Sequence, residues 1–470
     1  MERYFTLFQV TEEAISGLLQ SALSRGGDYA DIFFESTTSD ELTLRDGEVN
    51  AVESTADYGV GIRVVKDAHT GYAYAESTLP AEMERAARTA AGIADCPGAG
   101  PLPAPLKHMQ RPDRYPIVGD WSDFDLLRRK AFLQHFGERL SALSGDIKKV
   151  IANLAYDHSD ILFANSLGNL FCDERPITSL VASCILERGG RSENITVSRS
   201  FRRGSEMLTE SLLDEMVAEV ADHLPHLFEA KRPKGGRMPV VMAAGSSGIL
   251  LHEAIGHAFE ADFNRKGISI FSDKMGKQIC SPQINVVDDG TLTANRGAVN
   301  IDDEGVPGQK TYMVREGVLT SYLHDRISAA HYGVAPTGNG RRESFRFNPI
   351  PRMRCTYMEN GSGTQEEIIH SVRRGIFVDA FTNGQVEIGA GDFTFYVKSG
   401  FLIENGRLTQ PVKDINIIGN GPEALADIVA VAADSRVDNG TWTCGKDQYC
   451  PVSCGMPSVL VKSLIVGGDV

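Results

Sequence analysis

The segment His252-Glu253-Ala254-Ile255-Gly256-His257-Ala258-Phe259-Glu260 sets two imidazoles and two carboxylates in an otherwise apolar stretch. Imidazoles bind divalent metals and a neighbouring carboxylate can act as general base, so the chemistry this composition suits is metal-assisted hydrolysis. In a His-Glu-x-x-His arrangement the histidines are four apart, about 40° around a helix, and both reach one zinc ion with the Glu as base. Here they are five apart, roughly 140° on a regular helix, where they cannot share an ion. Either they are unrelated polar positions on an amphipathic helix, or a one-residue π-type widening returns His257 to the face of His252. Gly256, permissive in its backbone angles, suits the second case. Glu253 then stands about 100° from His252 and is the candidate catalytic base.

A catalytic zinc takes a third protein ligand and leaves its fourth position to water. Glu260, His324, His331, Cys444, Cys450 and Cys454 are the available donors. Chemistry alone ranks Cys444 narrowly ahead of Glu260. It sits in the Gly-containing loop Thr443-Cys444-Gly445-Lys446, with Lys446 near enough to favour the thiolate. Cys450 and Cys454 read as buried thiols. Donors for an oxyanion are sought among His324, Tyr332 and Arg341. Asp302-Asp303-Glu304 lacks a twelve-residue calcium loop around it and reads as a solvated turn.

These residues must be held by a scaffold. The pattern before them is helix (Thr11–Ser24), four strands between 29 and 76 with an Asp46-Gly47 turn, and helix (Pro80–Ala94). Six prolines between Cys96 and Pro116 mark an extended linker. The order then recurs: a helix from 122 to 143, strands through 150–202, and a helix from 206 to 230. Lys231-Arg232-Pro233-Lys234-Gly235-Gly236 breaks the chain again. Beyond it the text is rich in Gly and β-formers, with helices near 247–262, 324–332, 364–374 and 422–433. Pro239–Ala244 reads as a strand, and Gly245-Ser246-Ser247-Gly248 as a turn with a serine cap for the helix that bears the histidines. The expected fold class is α+β: two helix/antiparallel-sheet units (1–96 and 117–232) joined by a linker (97–116), then a β-rich unit (233–470) carrying the site.

Acidic residues (62) exceed basic ones (47), giving a net charge of −15. Direct nucleic-acid binding is therefore not expected. No apolar run approaches the ~18 residues needed to cross a bilayer, and no secretion signal is read at the start, so no membrane partner and a cytoplasmic location are expected. The eight cysteines do not form a disulfide framework.

The segments EADFNRKG (260–267), DDEGVPGQKT (302–311), APTGNGRRESF (335–345), PRMRCTYMENG (351–361), GQVEIGAGDFTF (384–395), IIGNGPEAL (417–425) and TCGKD (443–447), together with HEAIGH, resemble the TldD/PmbA family. The family is described both as metalloproteases and as modulators of DNA gyrase. The resemblance implies a zinc ion held by His252, His257 and Cys444, and the zinc-bearing type of the family. It further implies action on unfolded or flexible polypeptides bound in extended form, and pairing either with a PmbA/TldE-like subunit or with a second copy as a homodimer. A non-catalytic modulator and a structural zinc site are the rival functions. An adaptor has no use for a base beside a zinc, and a structural site takes a fourth protein ligand.

Overall fold

The computed structural model of the chain describes residues 1–94 and 100–468. Cys96 and Pro97, where the linker was set to begin, lie outside the described residues.

Helices α1 (Glu2–Phe8) and α2 (Glu12–Ala22) come first, the second capped by Thr11, whose side chain accepts from the Ala14 amide. Helix α1 is absent from the sequence expectation. Strands β1 (Tyr29–Arg45) and β2 (Glu48–Lys66) then form one long hairpin. Its turn needs two left-handed residues, which Asp46 (φ 53°) and Gly47 (φ 79°) supply. The two strands expected at 31–35 and 41–44 are both part of β1. The polar run between them reads as a break, but its backbone pairs on both sides, and its hydroxyls bond across the sheet, Thr37 to Ser159 at 2.8 Å and Ser39 to Asp157 at 2.6 Å. Strand β3 (His69–Ala75) and helix α3 (Pro80–Ala91) follow.

The linker is extended, as its prolines require, but it is not a free tether. Its strand β4 (Lys107–His108) pairs with a strand of the next unit, and Ala104 donates to Ser166 O at 2.9 Å. After it come α4 (Leu126–Ser141), β5 (Ile147–Asn165), β6 (Asn169–Arg188), β7 (Arg191–Phe201) and α5 (Glu210–Leu227). Strands from both sides of the linker share one seven-stranded sheet, in the order β3-β2-β1-β5-β6, with β4 and β7 both on β6. Its two largest cores lie along it. One gathers Phe8, Ile15, Leu19, Phe34, Ile62 and Ala87, and the other Trp121, Leu133, Phe136, Leu154, Leu180 and Met216. The long strands cross between them, so Leu42 of β1 belongs to the second core and Leu162 of β5 to the first.

The C-terminal half is strand-rich, which completes an α+β fold. Strand β8 (Gly236–Met242) joins Arg374–Val386, Val459–Val466, Ile415–Asn420, Asp392–Glu404 and Arg407–Val412, and the path closes because Arg374–Val386 also pairs with Asp392–Glu404. A six-stranded sheet includes Val286–Asp289, Cys355–Met358 and Ser453–Met456. The helix expected over 422–433 is shorter, Gly421–Ala426, because Ile428–Val431 pairs as a strand with Val459–Val466.

Asp302, Asp303 and Glu304 are buried, which corrects the solvated-turn expectation. Arg63 of β2 donates to Glu304 at 2.6 Å and also pairs with Asp31, while Arg175 of β6 donates to Asp303 at 2.6 Å. The turn is an ionic seam between the large sheet and the C-terminal half. Among the described residues no helix is long and apolar enough to cross a membrane.

Candidate metal centre

The chain leaves β8 through Gly245, held at φ 92° in the left-handed region, and enters a 3₁₀ turn, Ser246–Gly248. The expected serine cap is not formed, and Ser247 Oγ is buried without a partner. Burial fixes the segment instead: Leu250, Leu251, Ala254, Ile255, Ala258 and Phe259 all enter the largest core. One α turn, Ile249–Leu251, is followed by a π turn, His252–Gly256, and a 3₁₀ turn, His257–Phe259. The extra residue that five-residue spacing demands is absorbed in that π turn. Gly256 is needed for a reason other than backbone freedom. Its angles are ordinary (φ −60°, ψ −47°), but a Cβ there would stand 2.1 Å from Met353 Sδ.

The widened turn brings the two imidazoles face to edge, their centroids 5.1 Å apart and their planes at 82°. The Cys444 sulfur lies 3.3 Å from His257 Nε2. One ligand atom from each of His252, His257 and Cys444 falls within 4.8 Å of the others, and all three residues are buried. Cys444 reaches this place on a short hairpin, Thr443–Lys446 against Gln448–Pro451. Arg352, fully buried, holds the hairpin by donating to Cys444 O at 2.6 Å and to Gln448 O at 2.9 Å. Burial alone would raise the Cys444 thiol, but the facing histidines pull it down to about 4. Cys450 is paired opposite Cys444, yet its sulfur faces Arg352, and burial pushes its thiol up. Burial pushes Cys454 further up.

Glu260 is not placed as a ligand. Its Oε2 meets His257 Nδ1 at 3.0 Å, on the edge of the ring away from the sulfur. A carboxylate on the outer nitrogen of a metal-binding histidine fixes the ring's tautomer and orientation. Lys446, expected to favour the thiolate, serves Glu260 instead: its ammonium lies 3.0 Å from Glu260 and 2.7 Å from Asp262. Burial would raise Glu260, but Lys446 and His257 hold it at about 2. Neither this support nor Arg352 was singled out in the sequence, although Glu260 lies three residues beyond His257 and Lys446 two beyond Cys444.

Glu253 is partly exposed, and its Oε2 stands 4.0 Å from His257 Nε2, on the ligand side of the ring. Of the donors considered for an oxyanion, Arg341 is otherwise engaged. It is buried and donates to Met353 O and Pro451 O, at 2.6 and 2.7 Å. His324 is enclosed with Tyr322 and Tyr332, and burial lowers it to about 4. His331, a candidate ligand in the sequence, is exposed and meets the Tyr332 ring edge-on.

Three family descriptions match the chain in succession: PmbA/TldA metallopeptidase domain 1 over residues 30–94, the central domain over 120–224, and the C-terminal domain over 235–468. A metalloprotease TldD homolog from Haemophilus influenzae is 36% identical over 453 residues, covering 94% of each chain. The chain belongs to the PmbA/TldD family of metallopeptidases. A TldD homolog from Buchnera aphidicola (Acyrthosiphon pisum) is 34% identical over 98% of this chain and 97% of its own length. Two solved structures share the fold. A Thermotoga maritima protein described as a modulator of a DNA gyrase has a TM-score of 0.78 at 21% identity, covering 98% of this chain and all of that one. TldE from Thermococcus kodakarensis has a TM-score of 0.74 at 19% identity, covering 97% of this chain and all of that one.

Proposed function

We propose that the chain is a zinc-dependent peptidase that hydrolyses unfolded or flexible polypeptides, with His252, His257 and Cys444 as metal ligands and Glu253 as the base. The observation that carries this reading is the convergence of two imidazoles and one thiol on a single buried point, with a partly exposed carboxylate beside them. The residues fit the ion. Both nitrogens of His252 are buried without a hydrogen-bond partner, and a metal bond would satisfy one of them. Two imidazoles and a thiolate make a three-ligand set with one negative charge, and no fourth His, Cys, Asp or Glu joins the group among the described residues. That favours a catalytic over a structural site.

When bound, zinc supplies Lewis acidity, lowering the pKa of a coordinated water towards ~7 and polarising the scissile carbonyl. The protein's own part follows from its atoms. Glu253 takes a proton from the attacking water at its carboxylate and passes it to the leaving amine nitrogen. Glu260, backed by Lys446, keeps His257 Nε2 turned to the ligand position. Arg352 keeps the Cys444 hairpin in register with the histidines. An extended polypeptide bound along strand edges is the substrate this chemistry suits.

The partner we propose is a PmbA/TldE-like subunit or a second copy of this chain. A non-catalytic action on DNA gyrase draws on the description of structural neighbours at about 20% identity, a likeness that reaches the fold alone. Incubation with casein, with and without a co-purified partner and a chelator, tests the reading. Chelator-sensitive cleavage is expected, and intact casein under every zinc-loaded condition would overturn it.

A further inference from the structure

Three guanidiniums stand at the seam between β7 and the C-terminal half with no carboxylate in contact. Arg202 and Arg341 are buried, and Arg296 is half-buried. Arg341 is spent on the two carbonyls named above. Arg296 is held by neutral acceptors: Trp442 O at 3.0 Å, Ser200 Oγ at 2.6 Å and Thr443 Oγ1 at 3.4 Å. Arg202 is the exception in kind. It is 5% exposed, its Nε is buried without a partner, and its guanidinium makes no hydrogen bond or ion pair among the described residues, meeting only the Tyr115 ring at 5.2 Å.

Charges this deep are ordinarily paired or bound to a ligand, because an unpaired one forfeits its hydration without compensation. Burial lowers the Arg202 guanidinium to about 10, the like charges of Arg175 and Arg341 adding to the fall and Tyr115 and Asp173 opposing it. Arg296 is also lowered to about 10, by burial and by Arg202 and Arg341. Asp173, the carboxylate whose charge reaches Arg202, is already bonded to Tyr115, Arg175 and Asn300, so the guanidinium lacks an anion of its own among the described residues. Its position relates it to the reaction, since Arg296 grips Trp442 and Thr443, the residues that lead directly into Cys444. A polyanion such as nucleic acid is disfavoured by the net charge of −15.

We propose that Arg202 binds a carboxylate of the polypeptide substrate, either the chain's terminal carboxylate or an Asp or Glu side chain. A guanidinium takes a carboxylate through two parallel hydrogen bonds, so one such anchor fixes where the peptide lies relative to the Cys444 hairpin. The assignment rests on the peptidase reading for its ligand, but the anion site is separable from it.

The test compares wild type with Arg202→Met and Arg202→Lys in the zinc-loaded full chain, with circular dichroism to verify the fold. Glutarate, a simple dicarboxylate, should raise the melting temperature of wild type and leave that of Arg202→Met unmoved. KM is then measured for one neutral decapeptide with a free carboxylate, its C-terminal amide, and the amide carrying one Asp. A rise of about tenfold or more in Arg202→Met, confined to a peptide that bears a carboxylate and partly restored in Arg202→Lys, is expected. Whether the free acid or the Asp peptide responds identifies the source. Equal KM changes for all three peptides would overturn the substrate assignment, and an equal glutarate shift in wild type and Arg202→Met would overturn the site itself. If wild type cleaves none of the peptides, the peptidase reading fails, and the glutarate comparison still decides the anion site.

Discussion

Glu260 Oε2 stands 3.0 Å from His257 Nδ1 while the Cys444 sulfur stands 3.3 Å from Nε2 of the same ring. The carboxylate therefore faces the outer nitrogen of the imidazole and the thiol its inner one. In the proposed centre Glu260 acts on the zinc through the ring, so Glu260→Gln is expected to weaken zinc binding by about 10- to 100-fold. Titration of the metal-free protein against a competing chelator reads this directly. A variant that binds zinc as tightly as wild type would make Glu260 a packing residue only.

Gly256→Ala should lower the melting temperature and the zinc content together. The added methyl meets Met353 Sδ at 2.1 Å in a filled core, and overpacking of this kind costs about 1–3 kcal/mol. Because the clash is with one side chain, Gly256→Ala and Met353→Ala should be non-additive, the double variant being less unstable than the sum of the two. Strict additivity in thermal melts would place the strain elsewhere.

What was legible in the sequence, and what was not, follows the range of the interactions. The π turn was readable because it is local arithmetic: five-residue spacing on a helix permits convergence only with one residue inserted. Cys444 was only narrowly favoured by its chemistry and not readable from spacing, since a hairpin nearly two hundred residues away reaches the histidines only through the fold, and family resemblance set it apart from Glu260. Glu260 was legible as a nearby carboxylate but left as an alternative ligand ranked just below Cys444, because proximity along a chain does not say which ring nitrogen it will face. Asp302, Asp303 and Glu304 were misread as solvated because their partners, Arg63 and Arg175, lie far upstream on the large sheet. The long β1 strand was split in two for the same reason, its polar middle being stabilised by strand β5 across the sheet.

That ionic seam yields a prediction of its own. Arg63 is fully buried between Asp31 and Glu304, so Arg63→Ala takes from Glu304 its ion pair and leaves Asp31 with Arg342 alone, at 3.3 Å. Removing one partner of a buried pair costs about 3–5 kcal/mol, and denaturant melts should show a loss of that size. A loss under 1 kcal/mol, the scale of a surface pair, would contradict the buried seam.

A second titratable cluster lies on the large sheet, away from the metal centre. Burial would lower His158, but hydrogen bonds and charge from Asp160 and Glu174 raise it to about 9. A histidine raised above its unfolded value, about 6.5, contributes stability that is fully present below that pH and is lost as pH rises through about 9. His158→Gln should therefore be less stable than wild type at pH 6, and the difference should shrink between pH 6.5 and 9.5. Parallel melting curves across that range would show that His158 is not charged in the folded protein.

The role of Glu253 bears most directly on the proposed chemistry, and the variant Glu253→Gln isolates it. Glutamine keeps the shape and a hydrogen-bonding group but cannot accept the proton. Zinc content, melting temperature and casein cleavage are measured on the same preparation. The account predicts unchanged zinc and fold with cleavage reduced by about 10²- to 10⁴-fold, the usual worth of a general base. A variant that keeps its zinc and its fold and still cleaves casein at the wild-type rate would contradict it.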